Sequence, residues 1–300
     1  MSPPDFVYRG RFAPSPTGPL HFGSLVAAVG SYLDAKLHNG TWLVRMEDLD
    51  APRCMPGAAD EILHTLEMFG MVSDEPVICQ SQRTAAYEEA LQRLKESGAA
   101  YPCCCTRKEI SDSALHGIEG PVYPGTCRDG IQAGREARAW RVRTDGETLG
   151  FDDALQGRIA QHLQSEIGDF VVRRADGLFA YQLAVVVDDA FQGITHVVRG
   201  ADLLASTPRQ ILLQRQLGFP TPQYMHLPVA VNAAGEKLSK QTLAAPVNVS
   251  APAATLLRVL DFLHQRPPAS LAGSDVRTAL TWAVKNWQPQ RLAGIRTIPA

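Results

Sequence analysis

The chain has 300 residues, 45% of them hydrophobic and 20% charged, with a formal net charge of -2. That is a globular composition with room for one large core or two modest ones, and it excludes the protein-wide basic field that advertises a nucleic-acid partner. No apolar window of about 18 residues occurs and no basic start is followed by an apolar run, so the expectation is a cytoplasmic protein with no membrane partner.

The first informative stretch is Arg11-Phe-Ala-Pro-Ser-Pro-Thr-Gly-Pro-Leu-His-Phe-Gly-Ser24. Its prolines and Thr17-Gly18 set an irregular loop, and His21 and Gly23 then stand at the start of a helical run from Leu20 to Leu37. Unpaired N–H groups and the helix dipole make such a terminus suited to phosphate. Gly40 is expected to cap the helix, and Thr41-Trp-Leu-Val-Arg-Met46 to follow as a buried strand. This β-loop-α-β unit opens a doubly wound parallel α/β sheet. Glu47-Asp48-Leu49-Asp50 then lies at the strand's carboxyl end, where such sheets place their ligands.

Amphipathic helices are expected over about 57–69 and 84–97. From Tyr101 to about Ala139 the helical period disappears among cysteines, glycines and prolines. Cys103, Cys104, Cys105 and Cys127 crowd this segment, which in a chain without a secretion signal suggests a metal site before a disulfide framework. Arg128, Arg135, Arg138, Arg141 and Arg143 form a basic run across its end, a candidate for RNA contact. The α/β pattern is expected to resume with strands at Ala139–Thr144 and Asp169–Arg174, an apolar run over 178–187, Asp188-Asp189, and the strand Ile194–Arg199. Ser206-Thr207-Pro208 reads as the capped start of a helix reaching about Leu217, and His226–Val231 as a strand entering the loop 232–239. Beyond Lys240 a Pro/Ala/Ser-rich stretch leads to two helices, near 253–265 and 275–287, and a weakly structured end.

The organisation expected is therefore a first half of the α/β domain over 1–100, an insertion over 101–139, a second half over 140–245, and a short helical region over 246–300. Lys237-Leu-Ser-Lys240 follows a strand, and its two ammonium groups at spacing three can fold over a polyphosphate.

Taken together, these motifs resemble the class I aminoacyl-tRNA synthetases. His21-Phe-Gly-Ser24 matches the "HIGH" signature and Lys237-Leu-Ser-Lys240 the "KMSKS" signature, with Ser24 and Gln241 replacing the final residue of each. Arg11–Gly18, Arg45–Asp48 and Tyr181–Arg199 resemble the glutamate-specific branch, over about residues 9–245 in all. The short tail and the cysteine insertion make the chain similar to the glutamyl-queuosine tRNA(Asp) synthetase family, which implies a Rossmann-type core with no anticodon-binding domain. The resemblance implies tRNA-independent activation of L-glutamate by ATP with Mg²⁺, then transfer to the queuosine of tRNA(Asp), by a protein expected to be monomeric.

It also implies site roles. Arg11, Tyr181 and Arg199 would receive the γ-carboxylate, and Ser15, the backbone at Ala13 and Glu47 the α-ammonium group. His21, Gly23, Ser24, Lys237 and Lys240 would bind ATP, with His21 and the two lysines acting in the chemistry. For the insertion, Cys103, Cys105 and Cys127 approach a tetrahedral Zn²⁺ set. The family pattern adds Tyr123 as fourth ligand, while ligand chemistry alone favours His116. Two other readings share part of this pattern: a small-molecule nucleotidylyltransferase of the same superfamily, and a non-catalytic synthetase paralogue.

Overall fold

The computed structural model describes residues 7–113, 116–117, 120–232, 234–238 and 245–300. Its first elements follow the alternation of apolar runs closely. β1 (Arg9–Phe12), α1 (Phe22–Leu37) and β2 (Thr41–Met46) form the opening unit; α2 (Ala58–Met68), β3 (Ile78–Cys79) and α3 (Thr84–Glu96) come next. The insertion carries β4 (Ala100–Cys103), α4 (Arg107–Ser113), β5 (His116–Gly117) and β6 (Gly120–Pro121), and β7 (Ala139–Val142) leaves it. The hairpin β8 (Thr148–Asp153) and β9 (Gly157–His162) leads to α5 (Leu163–Glu166) and β10 (Phe170–Arg173). Then come α6 (Tyr181–Phe191), β11 (His196–Gly200), α7 (Thr207–Leu217), β12 (Gln223–Leu227) and β13 (Val229–Val231). The tail holds α8 (Pro252–Phe262), α9 (Val276–Asn286) and β14 (Thr297–Pro299).

Seven strands make the central sheet in the order β3-β2-β1-β11-β12-β8-β9. All neighbours are parallel except the final β8–β9 hairpin. Alternation along β2 decides which residues face which layer. Trp42, Val44 and Met46 join one apolar cluster with α1, α8 and α9, while Leu43 joins a second with α3, α6 and α7. The sheet is therefore doubly wound, with β1 and β11 adjacent at its centre where the chain direction of winding reverses. Among the described residues, no helix is long and apolar enough to cross a membrane.

Several sequence expectations are corrected. The strands at 139–144 and 169–174 do not extend the parallel sheet; β7 and β10 pair antiparallel with each other and with β4 in a separate three-stranded sheet. Apolar runs specify a strand but not its partner, which packing decides. The insertion contains a short helix, α4, where no helical period was evident. Gly40 is not the α1 cap: His38 is, with Asn39 left-handed at φ 51°. Gly40 is needed instead for close approach, because a Cβ there would lie 2.6 Å from the Tyr8 carbonyl oxygen. Ser206 precedes α7 but makes no side-chain cap, since a 3₁₀ turn over Ala201–Ser206 already leads into that helix.

The tail is also more ordered than its composition suggests. Leu256, Val259, Leu260, Leu280, Ala283, Trp287 and Leu292 lie in the same core as α1. Trp287 donates its indole N–H to Asp34 (3.0 Å), which also accepts from Tyr8 (2.5 Å). β14 then pairs in parallel with β13. A side chain of that size contributes roughly 1.5–3 kcal/mol when buried, so the tail is bound to the first helix by an ordinary apolar interface with a polar tether.

Candidate active site

The carboxyl ends of β1, β2, β11 and β12 open into one cavity of about 860 Å³. Its wall includes Arg11, Ala13 and Ser15 from the loop after β1, and His21, Gly23 and Ser24 from the start of α1. Glu47 follows β2, Tyr181 begins α6 and Arg199 lies near the end of β11, all on the same cavity. Lys237 lines the cavity as well, its backbone close to the start of α1. The structure thus gathers residues spread over more than two-thirds of the chain; of the expected cavity residues, Lys240 alone lies outside the described residues.

The His21 end has the geometry of a helix N-terminus. His21 is the N-cap of α1: its Nδ1 accepts the Ser24 backbone N–H at 3.3 Å, and Ser24 Oγ lies 2.9 Å from Nε2. With Nδ1 accepting, the neutral ring carries its proton on Nε2 and donates it to the Ser24 hydroxyl. The serine that replaces the last histidine of the motif therefore holds the first histidine in place. A Cβ at Gly23 would sit 3.3 Å from His21 Cε1 and 3.5 Å from the Leu238 carbonyl oxygen, so glycine keeps the helix start close to the Lys237–Leu238 backbone. That backbone is itself registered on the sheet, since Leu238 N–H donates to Ala230 (2.8 Å). Lys237 Nζ pairs with Asp202 at 2.5 Å.

The inner wall is a network of buried charge. Arg11 donates to both oxygens of Asp189, at 3.1 and 3.3 Å. Arg45, fully buried, donates to the same carboxylate at 2.7 Å, to Gln192 at 2.9 Å and to Glu47 at 3.2 Å. Burial pushes the Glu47 carboxyl above its ordinary range, against the pull of Arg45 and Arg11. Burial also acts to raise Asp189, but Arg11 and Arg45 outweigh it and hold that carboxyl below the usual value. Arg199 has a different set of partners: His226 Nε2 (3.1 Å), Tyr181 Oη (3.3 Å), Thr207 Oγ1 (2.8 Å) and Gln210 Oε1 (2.8 Å). None of these is a carboxylate.

No motif in the sequence assigns a role to Asp189, Asp153, Asp202 or His226. A signal for Asp189 was available: Asp188-Asp189 closes the apolar run Leu183–Val187, and an acidic pair on a buried helix needs cationic partners. No local signal identifies the partners: those of Asp189 come from β1 and β2, and Asp188 pairs with Arg83, just before α3.

In the insertion, the thiols of Cys103, Cys105 and Cys127 all lie within 4.8 Å of one another. Cys105 and Cys127 are 3.6 Å apart, close to the separation of about 3.8 Å that two ligands of a tetrahedral zinc–thiolate centre would adopt. Tyr123 Oη lies 3.4 Å from Cys103 Sγ and 3.6 Å from Cys105 Sγ, so the phenol is placed among the thiols. Three soft sulfur donors and one hard oxygen form a set that fits a divalent metal of the zinc type. Arg141 adds positive charge beside it, with Nε 3.3 Å from Cys103 Sγ and its guanidinium 3.9 Å from the Tyr123 ring centre. The backbone of His116 lies in β5, and its side chain is outside the described residues.

The basic run across the insertion is mostly engaged internally. Arg128 pairs with the buried Asp169, Arg135 with Glu109, and Arg143 with the Arg128 carbonyl oxygen. Arg141 is buried against Asp169 and the thiols. Arg138 is exposed. The run is thus chiefly scaffolding for the cysteine module, not an open cationic surface.

The sheet, the helix-start histidine and the lysine loop define the class. A family model described as the catalytic domain of the class I tRNA synthetases (E and Q) matches residues 8–255. A solved glutamate-tRNA synthetase from Elizabethkingia anophelis superposes with a TM-score of 0.79 over 97% of this chain and 68% of that one, at 23% identity, which supports the fold. Among curated relatives, the glutamyl-Q tRNA(Asp) synthetase of Dechloromonas aromatica is 64% identical over 93% of this chain and 94% of its own length. That of Chromobacterium violaceum is 56% identical over 98% of both. The chain belongs to the class I tRNA synthetases (E and Q) and, within them, to the glutamyl-Q tRNA(Asp) synthetase family.

Proposed function

We propose that this protein activates L-glutamate with ATP, without tRNA, and transfers it to the queuosine at the wobble position of tRNA(Asp). The observation that carries the reading is the single cavity in which the amino-acid frame, the His21 helix start and Lys237 meet. Relatives bearing the glutamyl-Q tRNA(Asp) synthetase name at 56–64% identity support the acceptor.

In the first step an oxygen of glutamate's α-carboxylate attacks the α-phosphorus of ATP, and the bond to pyrophosphate breaks. In the second, a hydroxyl of the queuosine cyclopentenediol attacks the acyl carbon of the adenylate, loses its proton and releases AMP. Neither step needs a covalent protein intermediate, so the protein's tasks are alignment and charge stabilisation. Arg11, Tyr181 and Arg199 receive the γ-carboxylate; Ser15, the Ala13 backbone and Glu47 hold the α-ammonium group. Arg199, which has no carboxylate partner among the described residues, offers its positive charge to the side chain of glutamate. Glutamine would bring no charge to meet it.

His21, Gly23 and Ser24 take the phosphates at the start of α1, and Lys237 and Lys240 neutralise the departing pyrophosphate. Mg²⁺ carried with ATP adds charge stabilisation there. For Lys237 to do this it must leave Asp202, so the ion pair marks a resting arrangement of the loop. Cys103, Cys105, Tyr123 and Cys127 would hold one structural Zn²⁺ within the 101–139 module, which is inserted between the halves of the catalytic domain over 1–100 and 140–245, with the helical region over 246–300 following. The protein is proposed to act as a cytoplasmic monomer, which sedimentation of the purified chain tests.

The decisive experiment offers radiolabelled glutamate and ATP to tRNA(Asp) with and without queuosine. Charging only of the queuosine-bearing tRNA, resistant to removal of the 3′-terminal adenosine, is expected. Charging that ignores queuosine and needs the terminal adenosine would overturn the acceptor. Absence of any glutamate adenylate would instead favour a nucleotidylyltransferase or a non-catalytic paralogue.

A further inference from the structure

Arg199 is buried, yet among the described residues no carboxylate pairs with it directly. Arg11 and Arg45 share Asp189, and Arg45 also reaches Glu47. Arg199 is held by a histidine, two hydroxyls, an amide oxygen and, at 3.5 Å, the Leu203 carbonyl oxygen.

The histidine can do this in only one protonation form. Arg199 Nε–H points at His226 Nε2 (3.1 Å), so that nitrogen must carry a lone pair. The proton of the neutral ring then resides on Nδ1, which is 2.6 Å from Asp153 Oδ2. Asp153 is fixed at the end of β8. Its Oδ1 accepts backbone N–H groups of Leu155 (3.0 Å), Gln156 (2.9 Å) and His226 (3.3 Å), leaving Oδ2 for the ring. Both side chains are fully buried. Burial, together with the nearby Arg199 charge, overcomes the pull of Asp153 and lowers His226 to about 4, which agrees with a neutral ring.

We infer that Asp153 and His226 form a tautomer lock that orients Arg199 while leaving its charge unpaired, and so set the preference of the cavity for an anionic side chain. Both are positioning residues: they act through Arg199 and touch no reactant. The inference rests on the glutamate reading above. It adds to that reading two residues, from β8 and β12, that the family motifs did not bring forward.

The geometry specifies informative substitutions. In Asp153→Asn the amide oxygen is claimed by the three backbone N–H groups, so the NH₂ faces His226 Nδ1. The ring must then accept there and carry its proton on Nε2, where it faces the Arg199 N–H and can be accepted only by the Thr207 hydroxyl (3.2 Å), so the acceptor for Arg199 is lost. His226→Asn keeps a group near Nδ1 but removes the acceptor for Arg199. His226→Gln places an amide oxygen near the Nε2 position and restores the acceptor.

The test measures ATP–pyrophosphate exchange for the purified full chain, varying glutamate and ATP separately. Asp153→Asn and His226→Asn are expected to raise the KM for glutamate about ten- to hundredfold, the effect of losing one hydrogen bond to a charged group, with the KM for ATP unchanged. His226→Gln is expected to recover most of the loss. Nitrogen-15 NMR of labelled histidine supplies a readout independent of activity: a neutral Nδ1–H ring at His226 in the parent protein and an Nε2–H ring in Asp153→Asn. A parent Nε2–H or charged ring, or equal glutamate KM in the Asn and Gln variants, would overturn the lock. A parent protein without glutamate-dependent exchange but with the Nδ1–H ring would overturn the glutamate reading and leave the lock standing.

Discussion

The cysteine module and the cavity wall both contain arginines that are buried or half-buried, but they use them in opposite ways. In the module, Arg128 meets Asp169, and Arg141 sits between the Asp169 carbonyl oxygen, a thiol and the Tyr123 ring. Those guanidinium groups are satisfied within the fold. In the cavity, Arg11 has Asp189, while the partners of Arg199 among the described residues are all neutral. Charge in the module holds a small, poorly apolar unit together; charge in the cavity is left over for a ligand. The difference shows that the identity of a basic residue says little about its availability, which depends on partners supplied from distant segments.

The strongest expected effects lie in the cavity. Lys240→Ala should slow adenylate formation by about 10²–10³-fold, the range for removing one preorganised stabiliser of transition-state charge, while the KM for glutamate stays near that of the parent. Pre-steady-state pyrophosphate release measures this, and a change confined to KM would place the lysine outside the chemistry. Arg199→Gln should raise the KM for glutamate by about 10²-fold or more, as truncating a buried charged partner does, and should erase the preference over glutamine. Exchange assays with both amino acids would break the proposed contrast if preference survived.

In the module the effects should appear as stability. Arg128→Ala leaves Asp169 buried without its cation and should cost about 3 kcal/mol by denaturant titration, the lower end for a broken buried pair because Arg128 is partly exposed. Cys105→Ser should lose stoichiometric zinc by elemental analysis and melt at lower temperature. Glutamate–ATP exchange in that variant should stay within about twofold of the parent, as expected for independent sites. Retained metal would refute the site, and a large loss of exchange would show that module and cavity are coupled. Arg138→Ala, at an exposed position, should change stability by no more than about 0.5 kcal/mol.

Much of the first half of the fold was legible from local pattern. The helix after the proline loop and the strand Thr41–Met46 follow apolar periodicity, and the frame residues from Arg11 to Lys237 converge on the cavity. What remained hidden was non-local. The runs at Ala139 and Phe170 read as strands, yet only tertiary packing puts them in an antiparallel sheet with β4. Asp189, Asp153 and His226 matter because of residues far away in sequence, and no spacing rule connects them. Both helices of the tail follow from its apolar pattern, and only its last dozen or so residues looked weakly structured, because the pairing partner of Thr297–Pro299, Val229–Val231, lies well upstream.

The most direct test of the account is ATP–pyrophosphate exchange by the purified protein, without tRNA, with glutamate and glutamine compared at equal concentration. Exchange with glutamate, and at least about 10³-fold less with glutamine as expected when a buried charge is left unpaired, is the predicted result. Exchange with neither amino acid, or with both alike, would contradict it.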